Sequence, residues 1–113
     1  MSPGRLNYIE LRAVDVPASK AFYHDALGLN FADYGPTYAA TQGGGADLGL
    51  QGDASEASEA PLVLFEVDDV DAALERVGKA GGRIVVPVLA FPGGRRFHFA
   101  DPAGNVLGAW QSG

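Results

Sequence analysis

The sequence predicts an α+β fold made of two similar modules, each containing one strand, one helix and three further strands. The same order of elements occurs twice, at about residues 5–52 and 61–112, with a polar stretch between them. Only one helix accompanies each group of four strands, and no Gly-x-Gly-x-x-Gly follows the first strand, which disfavours a doubly wound parallel sheet. We therefore expect a single domain over residues 1–113, in which each helix covers one face of its sheet.

The composition excludes several classes of function. The chain has 113 residues and a net charge of −6, and its densest basic segment is the pair Arg95-Arg96, so we expect neither a nucleic-acid nor an anionic membrane partner. It contains no cysteine, which removes disulfides, thiolate metal ligands and cysteine nucleophiles. No segment resembles a signal peptide or a membrane span, so we expect a cytoplasmic protein.

The first strand is predicted from the alternation between Leu6 and Ala13. Ile9 and Leu11 lie on the face that we expect to be core. The opposite face combines a phenol, an acid and a base: Tyr8, Glu10 and Arg12.

The remaining elements of the first module are predicted from helix-capping residues and from the positions of glycine and proline. Asp15-Val16-Pro17 is typical of a helix start, and Gly28 is typical of a helix end. The helix is predicted through Leu27, with Phe22 on its apolar face. Glycine and proline residues then separate three predicted short strands: Asn30–Asp33, Thr37–Thr41 and Ala46–Gln51. Gly43-Gly44-Gly45 forms the predicted turn between the second and third of these strands.

The second module repeats this order. An apolar strand is predicted over Leu62–Val67, and the acidic run Asp68-Asp69-Val70-Asp71 caps a second helix, which ends at Gly81-Gly82. Arg83–Leu89 is predicted as an edge strand because it contains Pro87.

A closing hairpin completes the second module. Phe97 and Phe99 alternate with polar residues, Asp101-Pro102 opens a turn, and a strand runs back from Val106 to Trp110. If the phenylalanines are core beneath a helix, His98 faces the opposite side of the sheet.

The chain resembles the vicinal oxygen chelate superfamily of glyoxalase I, bleomycin-resistance proteins, extradiol dioxygenases and fosfomycin-resistance enzymes. It is most similar to a bacterial branch related to lactoylglutathione lyase. This resemblance implies paired βαβββ modules that form an eight-stranded curved sheet around a cleft, commonly in a homodimer. The matching motifs span nearly the whole chain: Glu10–Val16, Ala21–Tyr23, Leu27–Leu29, Phe65–Ala73, Ala80–Gly82 and Asp101–Val106.

The resemblance also implies where metal ligands would lie. In metal-dependent members, a ligand comes from the first and the last strand of each half. The matching positions here are Tyr8, Leu62, Gly108 and one residue among 49–51. Leucine and glycine carry no donor atom, and a tyrosine phenol is mostly protonated at neutral pH. We therefore predict no metal ligands and no cofactor. The alternative is a displaced divalent-metal site built from the remaining donors: Glu10, Glu66, Asp47, Gln51, His24 and His98.

Three residues are candidates for acid–base catalysis. Glu10 and Glu66 could act as an acid/base pair in apolar surroundings, or they could simply pair with Arg12. His98 is the candidate general base with an ordinary pKa near neutrality, or it is an exposed strand residue.

Six residues are candidates for ligand binding. Arg12 could hold a carboxylate or carbonyl, and the aromatic residues could stack on a flat ligand. The alternatives are an ion pair for Arg12, and core or dimer packing for the aromatic residues. The complete set is Tyr8, Arg12, Tyr38, Leu62, Leu64 and Trp110.

These observations favour a metal-free protein that binds a small organic molecule in its cleft. Two alternatives stay open. One is a glyoxalase-like lyase or isomerase, either metal-free or with a relocated metal. The other is an interaction module whose cleft is filled by its own side chains.

Overall fold

A computed structural model describes residues 2–43 and 45–113, and in this part of the chain a strand–helix–three-strand order occurs twice. The α+β class with two βαβββ modules is therefore confirmed. Gly44 of the predicted Gly43-Gly44-Gly45 turn lies outside the described residues. The first module consists of β1 (Arg5–Arg12), α1 (Val16–Leu27), β2 (Ala32–Asp33), β3 (Tyr38–Ala40) and β4 (Asp47–Gln51). The second consists of β5 (Leu62–Glu66), α2 (Val70–Lys79), β6 (Arg83–Phe91), β7 (Gly94–Ala100) and β8 (Val106–Ser112).

The chain divides into two compact units whose boundaries fall inside strands. The first unit contains the residues through Asn7 and Val63–Gly113, and the second contains Tyr8–Leu62. In the second unit the strand order is β2-β3-β4-β1, with β1 and β4 parallel. In the first unit the order is β5-β8-β7-β6, with β5 and β8 parallel.

The core of the second unit lies between α1 and one face of its sheet. Asp15 caps the helix by accepting a hydrogen bond from the Ala18 amide at 3.1 Å, and Gly28 ends it in the left-handed region at φ 72°. The helix packs against β3 and β4. The core residues are Ala13, Val16, Ala39 and Leu50, with Leu11, Tyr23 and Phe31 packed around them.

Two residues expected in this core lie outside it. Ile9 is 38% exposed and Phe22 is 62% exposed. The helix lies over β3 and β4, and the helical side chain that packs on the core is Tyr23. The strand alternation correctly assigned Leu11 to the core side, but the position of the helix leaves Ile9 partly in solvent.

The core of the first unit lies between α2 and strands β6, β7 and β8. Asp69 caps α2 by accepting hydrogen bonds from the amides of Asp71 and Ala72, both at 3.1 Å. The central residues are Val70, Ala73, Phe97 and Ala109. At the edge of this sheet, the β6–β7 register shifts on both sides of Val86, in the segment that contains Pro87.

The hairpin turn between β7 and β8 is held by Asp101. Its Oδ1 accepts hydrogen bonds from the amides of Ala103 at 3.0 Å and Asn105 at 2.9 Å. Its Oδ2 accepts one from Asn105 Nδ2 at 2.9 Å. These bonds, led by that of the Asn105 side chain, lower the pKa of Asp101. Neither described helix is both long and apolar enough to cross a membrane.

Candidate functional site

The sheet face of the second unit that points away from α1 carries a compact group of polar side chains. Glu10 on β1 lies opposite Gly49 on β4, and Gly49 lies opposite Ala40 on β3. Leu50 and Ala39 belong to the core beneath α1. Because successive strand residues point to opposite faces, Gly49 and Tyr38 face away from that core.

Hydrogen bonds join three of these side chains. Tyr38 Oη donates to Glu10 Oε1 at 2.9 Å, and the Tyr8 and Tyr38 hydroxyl oxygens are 2.6 Å apart. Glu10 is only 2% exposed. We call Tyr8, Glu10, Tyr38 and Gly49 the phenol site.

Gly49 is required by the packing of the two phenols. A Cβ at this position would overlap the hydroxyl oxygens of both Tyr8 and Tyr38, and it would lie 2.9 Å from Tyr8 Cε1. Real Cβ contacts are essentially never this short, so a side chain here would displace the phenols. The glycine therefore allows the Tyr8 and Tyr38 hydroxyl groups to pack directly against the backbone of β4.

Burial and charge keep the Tyr38 phenol protonated. Burial raises the pKa of Tyr38 well above its ordinary value of 10.0, and the nearby charge of Glu10 raises it further. A protonated phenol donates a hydrogen bond, whereas cation binding calls for a phenolate. Tyr38 can therefore orient a polar group but is poorly suited to bind a metal ion.

Two other predicted ligand-binding residues belong to the same unit. Leu62 is 1% exposed and can offer only apolar contact. Arg12 is exposed at the end of β1, opposite Gln51. The buried Gln51 side chain accepts a hydrogen bond from the Asp53 amide at 2.9 Å.

In the first unit, three side chains lie in one row across adjacent strands. Glu66 on β5 pairs with Trp110 on β8, and Trp110 pairs with Arg96 on β7. The Arg96 guanidinium lies 5.6 Å from the centre of the Phe91 ring, within the range of a cation–π interaction. The Phe91 and Trp110 ring centres are 6.4 Å apart.

The Asn7 side chain connects two members of this row, Glu66 on β5 and Trp110 on β8. The Trp110 indole donates to Asn7 Oδ1 at 3.1 Å, and Asn7 Nδ2 donates to Glu66 Oε1 at 3.0 Å. Glu66 also lies 3.8 Å from the Arg5 guanidinium. The arginine that pairs with Glu66 is thus Arg5 and not Arg12, the partner expected from the sequence.

His98 and Leu64 lie beside Gly108 in the next row. Phe97 is fully buried in the core beneath α2, so His98 faces away from that helix, and it is 8% exposed. A Cβ at Gly108 would lie 2.8 Å from Leu64 Cδ2 and 3.5 Å from His98 Cδ2. These neighbours therefore fill the space that a Gly108 side chain would need.

Sequence reasoning missed Asn7, Arg96 and Phe91. By strand alternation Asn7 shares the face of Ile9 and Leu11, where a polar amide indicates specific hydrogen-bond partners. Arg96 was considered only as part of a basic pair. Its position beside Trp110 depends on the β7–β8 register.

The strand register also identifies the fourth position at which the family resemblance implies a metal ligand. Gly108 pairs with Leu64 between β5 and β8, as Gly49 pairs with Glu10 between β1 and β4. The four implied positions are therefore Tyr8, Leu62, Gly49 and Gly108. Both glycine positions are covered by neighbouring side chains, so these residues do not fit a divalent cation. Within residues 2–43 and 45–113, no three His, Asp or Glu side chains are grouped to hold a metal ion.

The fold and these sites define an α+β protein whose sheet faces carry polar and aromatic side chains. The chain belongs to the glyoxalase/bleomycin resistance protein/dioxygenase superfamily, whose sequence profile matches residues 5–108. The resemblance identified from the sequence motifs is thereby confirmed.

Comparisons with individual proteins agree with this family. The chain is 30% identical over 120 residues to CFP32 of Mycobacterium bovis, named as a candidate glyoxylase, covering 96% of this chain and 46% of that protein. It therefore spans about half the length of this relative.

Two solved structures show the same fold. Methylmalonyl-CoA epimerase from Mycobacterium tuberculosis has a TM-score of 0.79 and 19% identity, covering 96% of this chain and 88% of that chain. The Mn(II)-bound glyoxalase from Novosphingobium aromaticivorans has a TM-score of 0.67 and 26% identity, with coverages of 96% and 40%.

Proposed function

We propose that this chain binds a small organic molecule without a divalent metal, and that the phenol site makes the polar contacts. The observation that carries the proposal is the Tyr8–Tyr38–Glu10 hydrogen-bonded group over Gly49. Two positions implied for metal ligands, Tyr8 and Gly49, are part of this group. The site therefore offers oriented phenols where a metal-dependent relative would offer a cation.

The names of structurally similar proteins support a small-molecule ligand. One neighbour is an epimerase of methylmalonyl-CoA, and another is a glyoxalase that binds Mn(II). We propose that this chain shares their use of the scaffold to hold a small organic molecule. Unlike the Mn(II)-bound glyoxalase, this chain is proposed to bind its ligand without a divalent metal.

The remaining ligand-binding candidates are considered separately in each unit. In the second unit, Leu62 is nearly fully buried and would exclude water from a molecule bound at the phenol site. In the first unit, Leu64 is also nearly fully buried, and Trp110 would supply an aromatic face whose orientation is set by Asn7. Arg12 is exposed and would reach a carboxylate or carbonyl at the periphery.

A second candidate function is a metal-free lyase or isomerase. The observation that favours this enzymatic function is the buried Glu10 carboxylate, which accepts a hydrogen bond from Tyr38. Such a carboxylate can act as a general base. Glu66 and His98 remain further candidates for acid–base roles. Homodimer formation and a cytoplasmic location also remain expectations.

Native mass spectrometry combined with elemental analysis tests the proposal on the full chain purified without added metal. We expect a co-purified organic ligand or an apo protein that binds compounds from a small-molecule library, and no stoichiometric transition metal. Tyr38→Phe should weaken binding, whereas Tyr34→Phe should not, because Tyr34 is exposed and bonds to Gln42. Stoichiometric metal that is required for binding would overturn the proposal. Turnover of a bound compound that is lost in Glu10→Gln would establish the enzymatic alternative.

A further inference from the structure

A surface cavity opens at the start of α1, entirely within the unit Tyr8–Leu62. Its volume is about 410 Å³, which lies within the range of small-molecule sites. The lining comes from residues 14–17 around the start of α1, from Pro36 and Thr37 before β3, and from Gly52 after β4. We call this space the cap cavity; it shares no residue with the phenol site.

Backbone hydrogen bonds join the segments that form the cap cavity. The Gly52 amide donates to the Thr37 carbonyl at 2.7 Å, and the Ala13 amide donates to the Gln51 carbonyl at 2.9 Å. A Cβ at Gly52 would lie only 2.7 Å from Val16 Cγ2, so the glycine lets these segments pack closely. A ligand would therefore enter a preformed space and would order little of the chain on binding.

The lining combines apolar surface with one carboxylate. Val14 is 90% exposed, and Pro17 and Pro36 present exposed, rigid rings. Asp15 supplies the charge, and its Oδ1 caps α1 by accepting a hydrogen bond from the Ala18 amide at 3.1 Å. Among residues 2–43 and 45–113, no side chain forms an ion pair with Asp15. The carboxylate can therefore accept a charged donor from a ligand.

The charge of this unit favours a cation. The segment Tyr8–Leu62 contains eight acidic and two basic side chains, so it carries the whole formal net charge of −6. One of the two bases, Lys20, pairs with Asp33 at 2.7 Å. The resulting field attracts cations and repels anions. A single carboxylate cannot supply the several oxygen ligands that a divalent metal ion requires, whereas it can pair with one ammonium group.

We propose that the cap cavity is a second ligand site, which binds a protonated amine carried on a small apolar body. The ammonium group donates to the Asp15 carboxylate, and the apolar body packs against Val14, Pro17 and Pro36. This inference goes beyond the proposed function, because it concerns a different site and a different class of ligand.

The test compares benzylamine, which is protonated at about pH 7, with benzyl alcohol, a neutral molecule of nearly the same shape. Binding to the full chain is followed through the amide NMR signals of Val14, Thr37 and Gly52. At low salt we expect benzylamine to bind about fivefold more tightly than benzyl alcohol, as an exposed ion pair allows. This preference should shrink as the salt concentration rises.

Asp15→Asn separates the charge of Asp15 from its role as a helix cap. Asparagine caps a helix about as well as aspartate does, so the variant should keep the far-UV CD spectrum of the natural protein and lose the preference for benzylamine. The matched control is Asp69→Asn, which makes the same change at the cap of α2 and should keep the preference. Val14→Ser, at an exposed position, should weaken the binding of both probes.

Three outcomes would overturn the inference. The first is the absence of binding by either probe, or equal binding of both. The second is a set of signal changes that excludes Val14, Thr37 and Gly52. The third is an equal loss of preference in Asp15→Asn and Asp69→Asn, which would assign the effect to the overall charge of the chain and not to the cap cavity.

Discussion

Gly49 and Gly108 occupy equivalent positions in the two modules. Each lies in the last strand of its module, opposite a residue of the first strand in a parallel ladder. At Gly49 the missing side chain is replaced by the hydroxyl groups of Tyr8 and Tyr38, and at Gly108 by Leu64. The two modules therefore fill the same position with different chemistry, polar in one and apolar in the other.

Replacing Gly49 by alanine should separate the two phenols. The new Cβ would overlap both hydroxyl oxygens, so we expect Gly49→Ala to lower the free energy of unfolding by about 1–3 kcal/mol, as overpacking does. Urea unfolding measures this change. The matched control is Gly78→Ala in α2, where a Cβ meets nothing within 4 Å. That control should raise stability by about 0.5–1 kcal/mol because alanine favours a helix; equal effects of the two variants would contradict the packing described.

Replacing Asn7 should change the fluorescence of Trp110, the single tryptophan of the chain. Asn7→Ala removes the acceptor of the indole N–H and the amide that donates to Glu66. The indole should become more mobile and more hydrated, so its emission maximum should move to longer wavelength. Asn30→Ala, at an exposed residue after α1, serves as the control. An unchanged spectrum in Asn7→Ala would mean that Asn7 does not orient the indole.

The Asp101 turn should make stability depend on pH in the acidic range. Hydrogen bonds, first of all from the Asn105 side chain, lower the pKa of Asp101 in the folded protein below its ordinary value of 3.8. A carboxyl group with a lowered folded pKa stabilises the protein above its unfolded pKa, and this contribution disappears as the pH falls through the folded value. Asp101→Asn should therefore lower the urea midpoint at about pH 7, and the difference from the natural protein should shrink as the pH falls below 3.8.

A control for the turn is Asp25→Asn on the exposed surface of α1. It should leave the pH profile of the natural protein unchanged. If the urea midpoints of Asp101→Asn and the natural protein differed by the same amount at every pH, the effect would come from altered packing of the turn and not from the charge of Asp101.

Adding or removing a divalent metal should leave thermal stability unchanged. A cation bound by the folded state alone at 100 times its dissociation constant would add about 2.7 kcal/mol. The four implied ligand positions offer a phenol, a leucine and two covered glycines, so we expect no rise in Tm with excess Mn²⁺ and no fall with a chelator. Differential scanning calorimetry measures both. A rise that saturates with Mn²⁺ would reveal a site elsewhere on the chain.

The fold class and much of the candidate site were predictable because their signals are local or periodic. Helix caps such as Asp15 and Asp69 and the Asp101 turn depend on backbone groups within a few residues. Alternation placed Tyr8 and Glu10 on one face of their strand, and Tyr38 was chosen as an aromatic ligand contact. The sequence therefore supplied three members of the phenol site: Tyr8, Glu10 and Tyr38.

Only the tertiary structure decided which of these members touch. Tyr8 and Tyr38 are 30 residues apart in the chain, and Asn7 and Trp110 are 103 apart. Contacts over such distances depend on strand register, and a shift by one residue would turn each side chain to the other face. The register selected Gly49 from the three residues that the sequence left open. It thereby converted a list of polar residues into a hydrogen-bonded group.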